Sequence, residues 1–299
     1  MAYKADCVIN VFGKPLQTEL ALLSLMRHSG SHIDRIYLIN ENAKISDHRA
    51  IRNKLPNIEY YETRHIHWVN PVEGVRLDDD DYRMAVRYQY GWERSDKEFI
   101  FITHNDCIYQ GDIVGAFIEN IGSAIAIGQI GQCWNCPAWW TGVCDSGRYW
   151  DYRPSFIELS DLYNRTVPPE GRAKRPYHLP TFHETFVKEP WPLPECRVNE
   201  WCALVNLSIA NKVTMPQGEA PPFGSILPGG SPVLDVGVGW FRYVSHMGHQ
   251  CRNFPIYNYM KHESGHPAMF DGDLYARNEL KALEVLKREY GRTDNGYSE

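Results

Sequence analysis

The run Phe99-Ile100-Phe101-Ile102-Thr103 is apolar and ends in His104-Asn105-Asp106. A carboxylate beside an imidazole at a strand end can hold a divalent cation. Hard Mg²⁺ or Mn²⁺ takes carboxylate oxygen and keeps positions open for water and phosphate. Asp106 suits either ion, and His104 suits Mn²⁺ better. Two other apolar runs end in Asn10-Val11-Phe12-Gly13 and Asn40-Glu41-Asn42. Asn10, Phe12, Asn40, Glu41 and Asn105 are therefore candidate nucleoside contacts, offering an aromatic face for a base and polar groups for base or ribose. The same residue types also make ordinary turns. Arg83 and Arg87, four apart on an expected helix, could reach phosphate. Their competing partner is the acidic run Asp78 to Asp81, read as a solvated loop and helix cap. Cys133-Trp134-Asn135-Cys136, with Cys144, Cys196 and Cys202 later, could hold a structural Zn²⁺ at Cys133 and Cys136. Buried free thiols are the alternative.

The elements that must position these residues follow from periodicity. Short strands are expected at 6–11, 33–40, 58–63 and 99–103. Helices are expected at 15–28, with Pro15 in the first turn, and at 47–54, 82–95 and 113–121. Alternating strands and helices call for a mostly parallel sheet with helices on both faces, an α/β fold. Ligands of such sheets lie beyond the carboxyl ends of the strands. The three polar clusters should thus converge. From Cys133 to Pro232 the chain is dense in Pro, Trp, Tyr and Gly, which excludes long regular elements. A strand at 202–207, a helix at 235–248, a last strand at 254–260 and an amphipathic helix at 273–290 are expected there. We read one domain over 1–299: a ligand-binding half (1–125), an irregular half that completes the site (126–290) and a frayed tail (291–299).

Composition narrows the function classes. The 299 residues carry 31 Lys and Arg against 37 Asp and Glu, a net charge of −6, which argues against a general nucleic-acid or anionic-membrane binder. No segment has the roughly 18–20 apolar residues that span a bilayer. Ile121 to Ile130 comes nearest and is broken by Gly122, Ser123 and Gly128. The first residues run directly into a strand without the order of a secretory signal, so a cytoplasmic location and reduced thiols are expected. Aromatics are abundant, at 13%. Trp134, Trp139, Trp140, Tyr149, Trp150 and Tyr152 could form a platform for sugar rings or a packed satellite core.

Residues 6–120 resemble a GT-A-fold glycosyltransferase, in pattern nearest the family-two type. Asp6 to Met26 resembles that family's opening strand, loop and helix. Ile36 to Asn42 resembles its second strand, and Arg83 to Asp106 the run into its Asp-X-Asp metal motif, with His104 standing where the first Asp would be. The resemblance implies a nucleotide-sugar donor, a carbohydrate or glycoconjugate acceptor and a Mn²⁺ or Mg²⁺ cofactor. Val233 to Trp240 resembles the point where such enzymes place a catalytic carboxylate at a helix start. That makes Asp235 the first candidate base and Glu200 the second. The competing role for Asp235 is a helix N-cap. A late histidine closes on the metal or on the diphosphate in several of these enzymes, and His262 is the matching residue, with His266 behind it and Gly265 as a hinge; a surface loop with two solvated histidines is the alternative. Two other readings compete: a nucleotidyltransferase of similar fold, poorly served by the single Gly and Lys of Phe12-Gly13-Lys14-Pro15, and a carbohydrate-binding protein without turnover.

Overall fold

The computed structural model describes residues 5–44, 48–67, 71–172, 184–226, 234–263 and 270–294, without the side chains of 184 and 185. Among them a seven-stranded sheet runs in the order β3-β2-β1-β4-β7-β6-β8. The strands are β1 (Ala5–Val11), β2 (Ile33–Asn40), β3 (Ile58–Glu62), β4 (Phe99–Thr103), β6 (Ala126–Ile130), β7 (Val198–Asn206) and β8 (Cys251–Asn253). Parallel pairing joins β1 to β2 and β4, β2 to β3, and β6 to β8, whereas β7 is antiparallel to both β4 and β6. The mostly parallel α/β sheet is therefore present, and it continues across residue 125 without a break.

Strand periodicity sorts the core into two faces. Val8, Ile100, Ile102, Ala203 and Val205 point to one face, where they meet Tyr88, Trp92 and the apolar side of helix α9 (Val238–His246). Their neighbours Cys7, Ile9, Phe99, Phe101, Cys202 and Leu204 point to the other. There they meet Leu22 and Leu25 of α1 (Pro15–Ser29) and Phe117 of α4 (Ile113–Ile121). A third layer forms outside α1, where Leu16 and Leu20 pack on Ala282, Leu283 and Leu286 of α10 (Gly272–Tyr290). Glu279 of α10 accepts hydrogen bonds from the Leu16 and Gln17 amides at 2.9 and 3.1 Å. It thus satisfies first-turn donors that α1 cannot pair itself.

Several expectations are corrected. The helix expected at 82–95 is two short ones, α2 (Asp80–Met84) and α3 (Gln89–Arg94), separated at Tyr88, whose backbone is left-handed at φ 67°. Arg83 and Arg87 consequently do not share a helix face. Of the helix expected at 47–54, the described residues 48–54 form a 3-10 turn, Arg49–Asn53. The strand expected at 202–207 begins at Val198. The run 254–260 is a 3-10 turn, Ile256–Asn258, leading to the short strand β9 (Met260–His262), which pairs with β5 (Cys107–Tyr109). The segment Ile121 to Ile130 divides into the end of α4 and strand β6. Arg292, expected in a frayed tail, is buried and ion-paired with Glu19; residues 295–299 lie outside the described set.

Candidate active site

The carboxyl ends of β1, β2 and β4 lie at one edge of the sheet, since Val11 pairs with Asn40 and Ile9 with Thr103. Because β7 runs the other way, its beginning reaches the same edge: Thr103 is opposite Cys202. Arg197, Asn199 and Glu200 thereby enter beside His104. The β5–β9 pair sets Cys107 opposite His262, which carries His262 to Asp106. The edge therefore collects residues from both halves of the chain.

His104, Asp106 and His262 form one set, with a ligand atom from each within 4.8 Å of the others. Asp106 Oδ1 is 3.3 Å from His262 Nε2 and 3.9 Å from His104 Nδ1, and its Oδ2 is 3.6 Å from Lys14 Nζ. Burial pushes the Asp106 carboxyl up, but His262, His104 and Lys14 together hold it below the usual carboxylate range. Burial pulls His104 down to about 3, so its imidazole is neutral and can ligate. Trp201 stacks flat on the His262 ring at 5.0 Å and fixes its plane. Trp134 packs against Trp201 at 5.8 Å, so one aromatic of the expected platform reaches this set.

A second constellation adjoins the first. His104 Nε2 is 4.0 Å from Glu200 Oε1. Arg197 Nη1 lies 3.2 Å from Glu200 and 3.3 Å from Asp235, joining the two carboxylates through one buried guanidinium. Burial raises the Glu200 carboxyl above its ordinary range against the pull of Arg197. Asp235 also accepts from Gln132 Nε2 at 2.8 Å and is 29% exposed, whereas the Glu200 side chain is 7% exposed. Asp235 is not the cap of a helix: α9 starts at Val238 after Gly237, whose φ of 81° suits glycine. The expected helix-start position is thus displaced by three residues, and the charge beside Asp235 is the Arg197 guanidinium.

On the β1–β2 side the polar residues are bound to one another. Glu41 is buried and accepts from Asn10 Nδ2 at 3.1 Å and from Arg87 Nε at 2.9 Å. Asn10 Oδ1 accepts from the Tyr88 amide at 2.8 Å, and the Tyr88 hydroxyl is 2.9 Å from His104 Nε2. A continuous polar chain therefore links Glu41 to the histidine–aspartate set. Gly224 packs so tightly on this segment that a Cβ there would lie 2.1 Å from the Arg87 carbonyl oxygen. Asn40 is buried and donates to the Tyr60 hydroxyl at 3.1 Å. Phe12 is half-buried just beyond β1.

Two expected contacts point elsewhere. Arg83 is held by Glu93 at 2.7 Å and Asp80 at 2.6 Å, so the acidic run supplies its partner and it is not joined to Glu41. Asn105 donates to the Gly13 carbonyl at 3.1 Å and Thr18 Oγ1 at 3.2 Å, tying the strand end to the loop before α1. The zinc expectation is also corrected. Cys133, Cys136, Cys144 and Cys196 line one small cavity. Among the described residues, however, three metal-ligating groups come within 4.8 Å only at His104, Asp106 and His262. Gly265 and His266 lie outside the described residues. Lys14, Tyr88, Gln132, Arg197 and Trp201 join the site without a signal in residue type or spacing; Arg197 lies five residues before the strand expected at 202–207.

No family model and no curated protein matches the chain. Among solved structures it is similar to mouse xyloside xylosyltransferase 1 in its apo form, at 15% identity over 70% of this chain and 69% of that one, with a TM-score of 0.39. It is similar to the galactosyltransferase LgtC in complex with donor and acceptor sugar analogues, at 13% identity over 68% of this chain and 58% of that one, TM-score 0.36. It is also similar to the Pyrobaculum calidifontis mannosyltransferase PcManGT in complex with GDP-Man and Mn²⁺, at 11% identity over 85% of this chain and 55% of that one, TM-score 0.41. The chain thus spans little more than half the length of the latter two.

Proposed function

We propose that the protein is a glycosyltransferase that moves a sugar from a nucleotide-sugar donor to an acceptor hydroxyl, with inversion and with divalent-ion assistance. The observation that carries this reading is the 4.0 Å approach of His104 to Glu200. It sets a cation-binding group and a pair of candidate bases side by side at the carboxyl edge of a parallel sheet, where ligands of such sheets bind. Two imidazole nitrogens and one carboxylate fit Mn²⁺ better than Mg²⁺, which favours oxygen alone. A bound ion would neutralise charge gathering on the departing diphosphate.

The chain's own residues divide the remaining work. Asp235 is the general base, because it is the more exposed of the two carboxylates and is oriented by Arg197 and Gln132. The acceptor oxygen bonds to the anomeric carbon as that carbon's bond to the phosphate oxygen breaks. The acceptor proton passes to Asp235, and the bonding pair leaves with the nucleoside diphosphate. Glu200, buried and raised, is the second candidate and holds Arg197 in place. On the donor side, Asn10 and Phe12 face the nucleoside, Asn40 holds the strand end through Tyr60, and Glu41 orients Arg87 toward phosphate.

A donor screen that measures released nucleoside diphosphate tests this. The expected result is release from at least one nucleotide-sugar, reduced at least about 100-fold in Asp235→Asn and also reduced in Asp106→Asn. Nucleoside diphosphate binding without release from any donor would overturn it in favour of a binding protein without turnover. Preference for a nucleoside triphosphate would overturn it in favour of a nucleotidyltransferase.

A further inference from the structure

The histidine–aspartate set already faces a cation of its own. Lys14 is 5% exposed, and its ammonium lies 3.6 Å from Asp106 Oδ2, on the carboxylate oxygen that His262 does not approach. The residue is held there by its backbone. Lys14 has φ 60° and follows Gly13 at φ 79°, in a region that L side chains rarely adopt. Its amide donates to the Tyr275 hydroxyl at 2.8 Å, and its carbonyl accepts from Thr18 N at 2.9 Å and Thr18 Oγ1 at 2.7 Å. The preceding Gly13 carbonyl is bound by Asn105 Nδ2 at 3.1 Å and is 3.1 Å from His48 Nε2. Pro15 opens α1 directly after it. A strained backbone conformation pinned on both sides is what is required to aim a lysine inward.

We propose that Lys14 is a resident counter-ion of Asp106 that competes with the divalent cation and so sets the affinity of the site for it. This rests on the metal reading of the same residues. The set contains one carboxylate and two imidazoles. Lys14 therefore offsets the only carboxylate charge that the set brings to an incoming ion. Like charges a few ångströms apart in a buried site repel strongly. The ion enters readily only when Lys14 has another anion to face, and a diphosphate at the sheet edge is one. Metal and donor then favour each other's binding, because each weakens what opposes the other.

The test is Mn²⁺ binding to the full chain without nucleotide, read by the loss of the free-ion electron paramagnetic resonance signal. Wild type, Lys14→Met and Lys14→Arg are compared, with Lys14→Ala replacing the methionine variant if circular dichroism shows that it does not fold. The expected result is Mn²⁺ bound at least about tenfold more tightly when the charge is removed, and near wild-type affinity with arginine. The gain should vanish when Asp106→Asn is added to Lys14→Met. Equal or weaker binding in the uncharged variants, with wild type binding, overturns the proposal and leaves the metal reading intact. No binding to any variant overturns the metal reading itself, and the proposal with it.

Discussion

The Tyr88 hydroxyl lies 2.9 Å from His104 Nε2, and the Tyr88 amide donates to Asn10 Oδ1 at 2.8 Å. One residue thus couples the end of β1 to the candidate metal set. Burial raises the Tyr88 phenol well above its ordinary value, so it stays protonated. With Nε2–H donating to the phenol oxygen, His104 Nδ1, the nitrogen nearer Asp106, keeps its lone pair for an ion. Partners of this kind fix ring orientation and commonly change metal affinity 10- to 100-fold. Tyr88→Phe should weaken Mn²⁺ binding by roughly tenfold or more, with little change in the far-ultraviolet circular dichroism. Titration calorimetry of both proteins decides it; unchanged affinity would remove Tyr88 from the site.

The pH dependence of stability should carry a signature of His104. Burial pulls this group down to about 3, whereas the unfolded chain takes up its proton near 6.5. The folded state therefore binds fewer protons than the unfolded state between these values. Its contribution to stability is complete above 6.5 and is lost as pH falls toward 3. The slope from one such group is about 1.4 kcal/mol per pH unit. Urea unfolding between pH 7 and 5 should show wild type losing stability faster than His104→Gln. Parallel curves would mean that the imidazole charges freely in the folded protein.

Arg197 holds two carboxylates together while itself 3% exposed. Removing the cation of a buried pair leaves uncompensated charge and typically costs about 3 kcal/mol or more. Arg197→Met should therefore lower the urea midpoint markedly. Restoring neutrality by adding Glu200→Gln should recover part of the loss. If the double variant is no more stable than the single, the burial of Glu200 is not what Arg197 offsets.

Glu279 should behave as a helix cap supplied by another helix. It accepts two first-turn amides of α1 and is buried between α1 and α10. Glu279→Ala removes both acceptors, at an expected cost of about 2 kcal/mol. Glu279→Gln keeps one carbonyl oxygen and should lose about half as much. Equal losses in chemical denaturation would show that packing, not amide pairing, is what the residue provides.

Local pattern made much of the fold legible. Strand β4 is apolar from Phe99 to Ile102, β1 and β2 have apolar centres at Cys7 to Ile9 and Ile36 to Ile39, and α1, α4 and α10 repeat Leu, Ile or Val at helical spacing. His104, Asp106 and His262 were singled out and are brought together. The rest depended on pairing that hydrophobicity does not show. Val198-Asn199-Glu200-Trp201 lies ahead of the strand expected at 202–207 because of its polar residues, yet it is the buried start of β7, its polar groups sunk to build the site. Strands β5 and β9 are three residues each, too short to show a period. Arg83 and Arg87 suggested one helix face because spacing alone cannot reveal the left-handed break at Tyr88.

Helix α10 places no side chain among the reacting groups, but Tyr275 grips the Lys14 amide and Glu279 the two that follow Pro15. A fragment ending before Gly272 would retain both histidines, all three acidic groups and Arg197, and would still release the turn that aims Lys14. Deletion mapping would then misidentify the C-terminal segment as catalytic. Point substitutions at Tyr275 and Glu279 separate the scaffold from the chemistry where truncation merges them.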